Sequence, residues 1–149
     1  MTEWLDDAQQ SAWRKLIEVV ELLPGSLDSQ LRHDADLSHF DYFTLAMLSE
    51  APGRTLRMTA LAELTNATLP RLSHVATRLE ERGYLQRTPC PTDRRATNAT
   101  LTEQGWRKVV ETAPGHVARV REVVFEGLDA ADVADLDRIM ARILARLAR

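Results

Sequence analysis

The chain has one cysteine, Cys90, in 149 residues, which excludes an intramolecular disulfide and leaves too little thiolate for a cysteine-based zinc site. Aromatic residues are scarce, with two Tyr, three Trp and three Phe. No apolar run approaches the roughly 20 residues of a membrane span. The amino terminus carries Glu3, Asp6 and Asp7 and lacks the basic and apolar regions of a secretion signal, so the expected location is cytoplasmic, with no membrane partner. There is no glycine-rich phosphate loop, no Gly-x-Ser-x-Gly, and no nucleophile accompanied by a base and an orienting group, and an enzyme is not expected. His33 and His39 flank Asp34 and Asp36 at a spacing that fits neither a zinc finger nor a helical His pair, so neither a metal nor a cofactor is expected. Cys90 has no resolving partner in the chain and no activating neighbour visible in the sequence, which argues against oxidant sensing.

What is present is an uneven charge. The net charge is -3, yet from Arg54 to Arg107 nine Arg face five acids, a local balance of +4, while the remainder carries ten basic and 17 acidic residues. Positive charge concentrated on one segment of an acidic chain is the footprint of a phosphate-binding surface. Seventeen of the 19 basic residues are Arg, which suits bidentate contacts. At 44% hydrophobic residues the chain is long enough for one domain of ordinary core size.

Periodicity predicts a mainly α, α+β chain. A first helix is expected over about Trp4 to Leu23, with Trp13, Leu16, Ile17, Val20 and Leu23 on one face, ended by Pro24-Gly25-Ser26. Leu27 to Arg32 is weakly helical and 33–36 reads as a loop. Ser38 with Asp41 three residues on forms a capping box for a helix that stops at Ala51-Pro52-Gly53, and Thr55 to Arg57 is a candidate third strand. Leu61, Ala62 and Leu64 end a short helix, Thr65-Asn66-Ala67 turn, and Thr68 caps a second helix running to Arg82, stopped by Gly83. Tyr84 to Arg87 and Thr97 to Leu101 read as strands around a Pro91-to-Arg95 turn. Thr102 then caps a long helix to about Gly127, kinked at Pro114, and Asp129 with Asp132 starts a last helix.

Helix, turn, helix, strand, arginine-tipped loop and strand, in that order, is a device that can touch two grooves of one DNA duplex. In the helix after Thr68, spacing assigns Leu72, Val75, Ala76 and Leu79 to the core and leaves Arg71, Ser73, His74, Thr77 and Arg78 outward. Arg71 and His74 lie near the amino-terminal end, where a recognition helix reaches furthest into the groove. Pro70 sits in the first turn, where a missing N–H costs least. A merely solvated polar face is the competing reading, strongest for Arg78, which Glu80 and Glu81 are close enough to pair with. Arg94 and Arg95 at the hairpin tip suit a narrow A·T minor groove, and Asp93 is assigned to holding an Arg in position. In the last helix, Val133, Leu136, Met140, Ile143 and Leu147 step as a heptad seam. With the apolar first helix, this seam exceeds what a small core can cover. The two helices either fold back onto their own chain or pair between subunits, and a homodimer is expected because helix-turn-helix proteins commonly bind as dimers with half-sites roughly 10 base pairs apart.

These residues resemble the multiple antibiotic resistance regulator (MarR) family of winged-helix transcription factors over nearly the whole chain. The words that carry the resemblance are Leu-Glu-Glu-Arg-Gly-Tyr-Leu at 79–85 and Asp93-Arg94-Arg95-Ala96 followed by Leu101-Thr102-Glu103-Gln104-Gly105. The resemblance implies a winged helix-turn-helix lobe at 37–102 inside a single domain of 1–149, with helical dimerisation regions at 1–36 and 103–149. It also implies an obligate homodimer on a pseudo-palindromic operator in double-stranded DNA, and Arg95 as the minor-groove arginine. Control by a small, often aromatic, ligand is a further implication, and Trp13, His39, Tyr42 and Phe43 are its candidate pocket. The set expected on DNA is Thr68, Pro70, Arg71, Ser73, His74, Thr77, Arg78, Arg94 and Arg95, with Asp93 in support. A winged-helix module that uses its arginines on an acidic protein partner is the alternative.

Overall fold

The computed structural model describes residues 1–148. Among them, six α-helices and a three-stranded antiparallel sheet follow one another as α1 (Asp7–Ala35), α2 (His39–Glu50), β1 (Thr55–Arg57), α3 (Met58–Leu64), α4 (Leu69–Glu81), β2 (Leu85–Cys90), β3 (Asp93–Leu101), α5 (Glu103–Val120) and α6 (Ala130–Leu147). Two compact units result, Met1–His116 and Val117–Arg149.

The largest departure from the sequence reading is α1. It begins at a capping box in which the Gln9 N–H donates to Asp6 Oδ1 at 2.7 Å and Asp6 N–H to Gln9 Oε1 at 3.0 Å, then runs through Pro24 to Ala35. Neither a stop at Pro24 nor a loop at 33–36 occurs. Proline inside a helix costs about 3 kcal/mol, but Leu27, Leu31 and Ala35 beyond it are buried one turn apart. Burying a leucine side chain stabilises by about 1.5–3 kcal/mol, so continuing the helix outweighs the lost backbone bond. Asp36, at φ 53, closes it with its N–H on the Arg32 carbonyl.

The remaining elements follow their local signals. Ser38 and Asp41 form the expected capping box at 2.9 Å in each direction, and α2 stops before Pro52. Gly53 and Arg54, both at positive φ, turn the chain into β1. The sheet order is β1-β3-β2, with Thr55 opposite Thr100 and Leu85 opposite Leu101, so the third strand pairs with the wing as expected. Leu31, Leu37, Leu45, Leu48, Leu61, Leu72, Leu79 and Leu85 form the centre of one apolar core drawn from α1 to α4 and the sheet.

Two glycines are dictated by geometry. Gly83, at φ 83, lets the chain leave α4 with its N–H on the Glu80 carbonyl and the Tyr84 N–H on the Leu79 carbonyl. At Gly105, a Cβ would lie 2.0 Å from the Tyr84 carbonyl oxygen, so the first turn of α5 can pass there only without a side chain. Thr102 caps that turn, accepting from the Gly105 N–H at 3.0 Å and donating to the Gly83 carbonyl at 2.6 Å. The helix continues through Pro114 to Val120. The second unit begins within its last turn at Val117, and a π-helical turn at Arg121–Phe125 follows, then α6, opened by a reciprocal Asp129–Asp132 capping box.

Candidate nucleic-acid interface

The amino-terminal end of α4 is open. Thr68 caps it, its Oγ1 accepting from the Arg71 N–H at 3.3 Å, and Thr68, Pro70, Arg71, His74, Thr77 and Arg78 are exposed while Leu72, Val75, Ala76 and Leu79 are buried. The two faces therefore fall where spacing placed them, except that Ser73, expected outward, is half-buried. The exposed side chains are not equally free, however. Arg71 lies over the Phe40 ring at 4.1 Å, a cation–π contact that holds its stem against α2.

Arg78 does not pair with Glu80 or Glu81. Its Nη2 lies 3.4 Å from Oδ1 of the buried Asp41, the carboxylate that also caps α2. Glu80 is taken by a residue that sequence reasoning passed over. Arg87 on β2 donates its N–H to Glu80 Oε2 at 2.6 Å and its guanidinium to Glu80 Oε1 at 3.2 Å, Thr77 Oγ1 at 3.0 Å and Ser73 Oγ at 3.4 Å. The Arg87 backbone N–H, aided by its guanidinium and opposed by desolvation, holds the Glu80 carboxyl below its usual range. Ser73 and Thr77 thus accept from Arg87 and are not simple outward readers. Strand alternation carries a signal for this, because Leu85 and Arg87 share one face of β2 and Leu85 is buried.

At the wing, Arg94 and Arg95 are exposed. Asp93 supports the tip through the backbone, its Oδ1 accepting from the Arg95 N–H at 3.0 Å, and among the described residues the Arg95 guanidinium has no carboxylate partner. Cys90, at the wing's base and 7% exposed, does have activating neighbours. The Thr92 hydroxyl and N–H, the Asp93 N–H and the charge of Arg57, whose Nη2 lies 3.8 Å from Sγ, lower its thiol to about 7. Arg57 is 33 positions away, beyond the reach of local sequence inspection.

Of the four aromatic candidates for a ligand pocket, three come together. His39 and Phe43 stack at 6.2 Å, and His116 of α5 joins them, 6.0 Å from His39 and 4.7 Å from Tyr42. Trp13, 49% exposed on α1, is not part of this ring cluster. Burial lowers both imidazoles, His39 against the opposing charge of Asp28 and His116 with the added repulsion of His39. Among the described residues no cluster of three His, Cys, Asp or Glu is arranged to hold a metal, and no helix is long and apolar enough to cross a membrane.

With this geometry in hand, comparison with known proteins is decisive. The MarR family model matches residues 36–96. The structure of Sco3205, a MarR family transcriptional regulator from Streptomyces coelicolor in complex with DNA, is 42% identical, covers 99% of this chain and 92% of that one, and superposes with a TM-score of 0.93. The chain belongs to the MarR family. AbsC, a second MarR family regulator from Streptomyces coelicolor, is 39% identical over 98% of both chains with a TM-score of 0.92. The HTH-type transcriptional regulator YdcH of Bacillus subtilis is 31% identical over 81 residues, a match that spans 53% of this chain and only 55% of YdcH. MarR proteins form a family of transcriptional regulators rather than of enzymes, and the winged-helix fold expected from the sequence is the fold observed. The MarR family words now have physical content: Gly105 is the close approach to Tyr84, and Asp93 braces the backbone of Arg95.

Proposed function

We propose that this chain is a homodimeric, sequence-specific DNA-binding regulator of transcription, acting as a repressor on a pseudo-palindromic operator. The observation that carries the reading is an amino-terminal half of α4 that presents Arg71 and His74 outward beside a wing whose Arg94 and Arg95 have no carboxylate partner among the described residues. In this reading α4 enters the major groove, with Arg71 and His74 on base edges and Thr68, Pro70, Ser73 and Thr77 lining the approach. Arg78 braces the helix on α2, and Arg94 and Arg95 enter the minor groove on a wing stiffened by Asp93. The dimer forms through the apolar stripes of the first and last helices and sets two half-sites roughly 10 base pairs apart. A small aromatic ligand at His39, Tyr42 and Phe43, with Trp13 as a further candidate, releases the DNA. No reaction is assigned to the chain.

The test is to select duplexes from a random library with the purified protein and repeat the selection with Arg71→Ala, His74→Ala and Arg95→Ala. The first two should change the preferred bases, at roughly 1–3 kcal/mol of discrimination per lost contact. Arg95→Ala should weaken binding chiefly at A·T-rich flanks. Enrichment of no sequence by the wild type, together with capture of an acidic protein that Arg94→Ala abolishes, would instead identify a protein-interaction module.

A further inference from the structure

A cleft of about 210 Å³ separates α4 from the wing. Its polar lining is Arg57 at the end of β1, Thr59 in the first turn of α3, Ser73 of α4, Arg87 of β2, and Arg95 and Thr97 of β3. Three Arg and three hydroxyl-bearing residues line it, and among the described residues no Asp or Glu does. Arg57 and Arg95 pair with no carboxylate among the described residues, although Arg57 Nη2 lies 3.8 Å from Cys90 Sγ. Arg87 is held by Glu80, which lies outside the lining. Ser73 accepts from Arg87 Nη1 and keeps its own hydroxyl hydrogen to donate.

Such a lining donates and hardly accepts. A phosphodiester presents only acceptors and carries a full negative charge, whereas the base edges that present only acceptors, guanine N7/O6 and the A·T minor groove, are uncharged. Duplex geometry points the same way. The major and minor grooves are divided by one sugar-phosphate strand, so a protein with its helix in one groove and its wing in the other must straddle that strand with whatever lies between.

We propose that the cleft between α4 and the wing is a seat for a single backbone phosphate of the operator, held by Arg57 and Thr59 with Arg87 and Ser73. The seat rests on the DNA-binding function proposed above and adds Arg57, Thr59 and Arg87 to the residues that contact DNA. Arg87 also acts as a positioning residue, because its guanidinium ties Thr77 and Glu80 of α4 to β2. Phosphate contacts fix register and carry no base preference, so the seat sets where Arg71 and His74 fall along the groove.

Fluorescence anisotropy with the selected operator and with a random duplex, each over a salt series, tests this. Arg57→Gln should weaken both duplexes by the same factor, about tenfold, and reduce the slope of log affinity against log salt by about 0.9 per seat. Arg57→Lys should restore the slope while recovering only part of the affinity. Thr59→Val, which leaves the charge intact, should weaken both duplexes without changing the slope. A scan of single methylphosphonates through each half-site should find one position that weakens the wild type and leaves Arg57→Gln unaffected. Equal slopes for wild type and Arg57→Gln, or no such position in the scan, would overturn the seat. A seat for free anions would show instead as thermal stabilisation by inorganic phosphate that Arg57→Gln abolishes, with the methylphosphonate scan silent, and would overturn the DNA assignment. A wild type that binds no duplex at all would refute the DNA-binding function itself.

Discussion

Helices α4 and α6 are written in the same language and end in different states. Each has a capped start, an apolar stripe at helical spacing and charge on the other face. In α4 the stripe of Leu72, Val75, Ala76 and Leu79 is buried within the chain, Leu72 completely. In α6 no residue is buried, and Leu144 and Leu147 are 60% and 71% exposed. The contrast teaches that periodicity names the face a helix must bury but not the surface that buries it. For α4 that surface is the core of its own lobe. For α6 the proposed cover is a second copy of the chain.

The sharpest way to break this comparison is at the seam itself. Leu136→Asp with Ile143→Asp places two carboxylates where the dimer would desolvate them, and should convert the dimer to a monomer and reduce operator affinity more than a hundredfold, as expected when one linked half-site is lost. Light scattering and anisotropy read the two effects together. A wild type that is already monomeric at micromolar concentration would remove the difference between the helices.

The matching substitution in α4 should act on folding and not on assembly. Leu72→Ala, at a fully buried position, should lower the unfolding free energy by about 2–5 kcal/mol, measured by urea denaturation. Leu144→Ala in α6 should leave the stability of an isolated monomer almost unchanged. Equal costs at the two sites would mean that α6 is covered within one chain after all.

Caps sharpen the comparison at a smaller scale. Thr68→Ala and Asp129→Ala each remove a side-chain acceptor from a helix start and should cost about 1 kcal/mol. Only Thr68→Ala should also weaken DNA binding, because in the proposed function that helix end faces the duplex. Loss of DNA affinity from Asp129→Ala alone would reverse the division of labour.

The smallest expected effect is a slope with pH. His39 and His116 have folded pKa values below the ordinary value of about 6.5, through burial and, for His116, the charge of His39. Unfolded imidazoles then bind protons that the folded ones refuse. Stability is complete above the unfolded value and is lost as pH falls through about 6.5 towards the folded values. Urea midpoints should decline between pH 7.5 and 5.5 in the wild type, and the decline should flatten in His116→Phe. Carboxylates such as Glu80, whose pKa is lowered, contribute their own loss only at more acidic pH. A midpoint independent of pH over this window would mean that the imidazoles titrate alike in both states.

Much of the fold was legible because its signals are local. Ser38 with Asp41, Thr68, Thr102 and Asp129 all mark helix starts through bonds spanning three residues, and Gly83 ends α4 through its own backbone angle. The outward face of α4 was legible for the same reason. Pro24 misled, because its local cost is real and the compensating burial of Leu27, Leu31 and Ala35 belongs to the assembled core. In the candidate interface, Arg71, His74, Arg94 and Arg95 could be read from spacing and neighbouring residues. Their companions could not, since Arg78 meets Asp41 across 37 positions and Arg57 meets Cys90 across 33.

By itself, then, the sequence determined the elements other than the second half of α1, their faces and the arginine-rich segment, since these depend on interactions within a few residues and on summed charge. Tertiary structure alone decided which charges are neutralised and which remain available. It pairs Arg78 with Asp41 and Arg87 with Glu80, and it brings Arg57, Arg87 and Arg95 to one cleft from three separate elements. Pairing depends on ångström-scale proximity between distant positions, and only the closed core of α1 to α4 and the sheet creates that proximity.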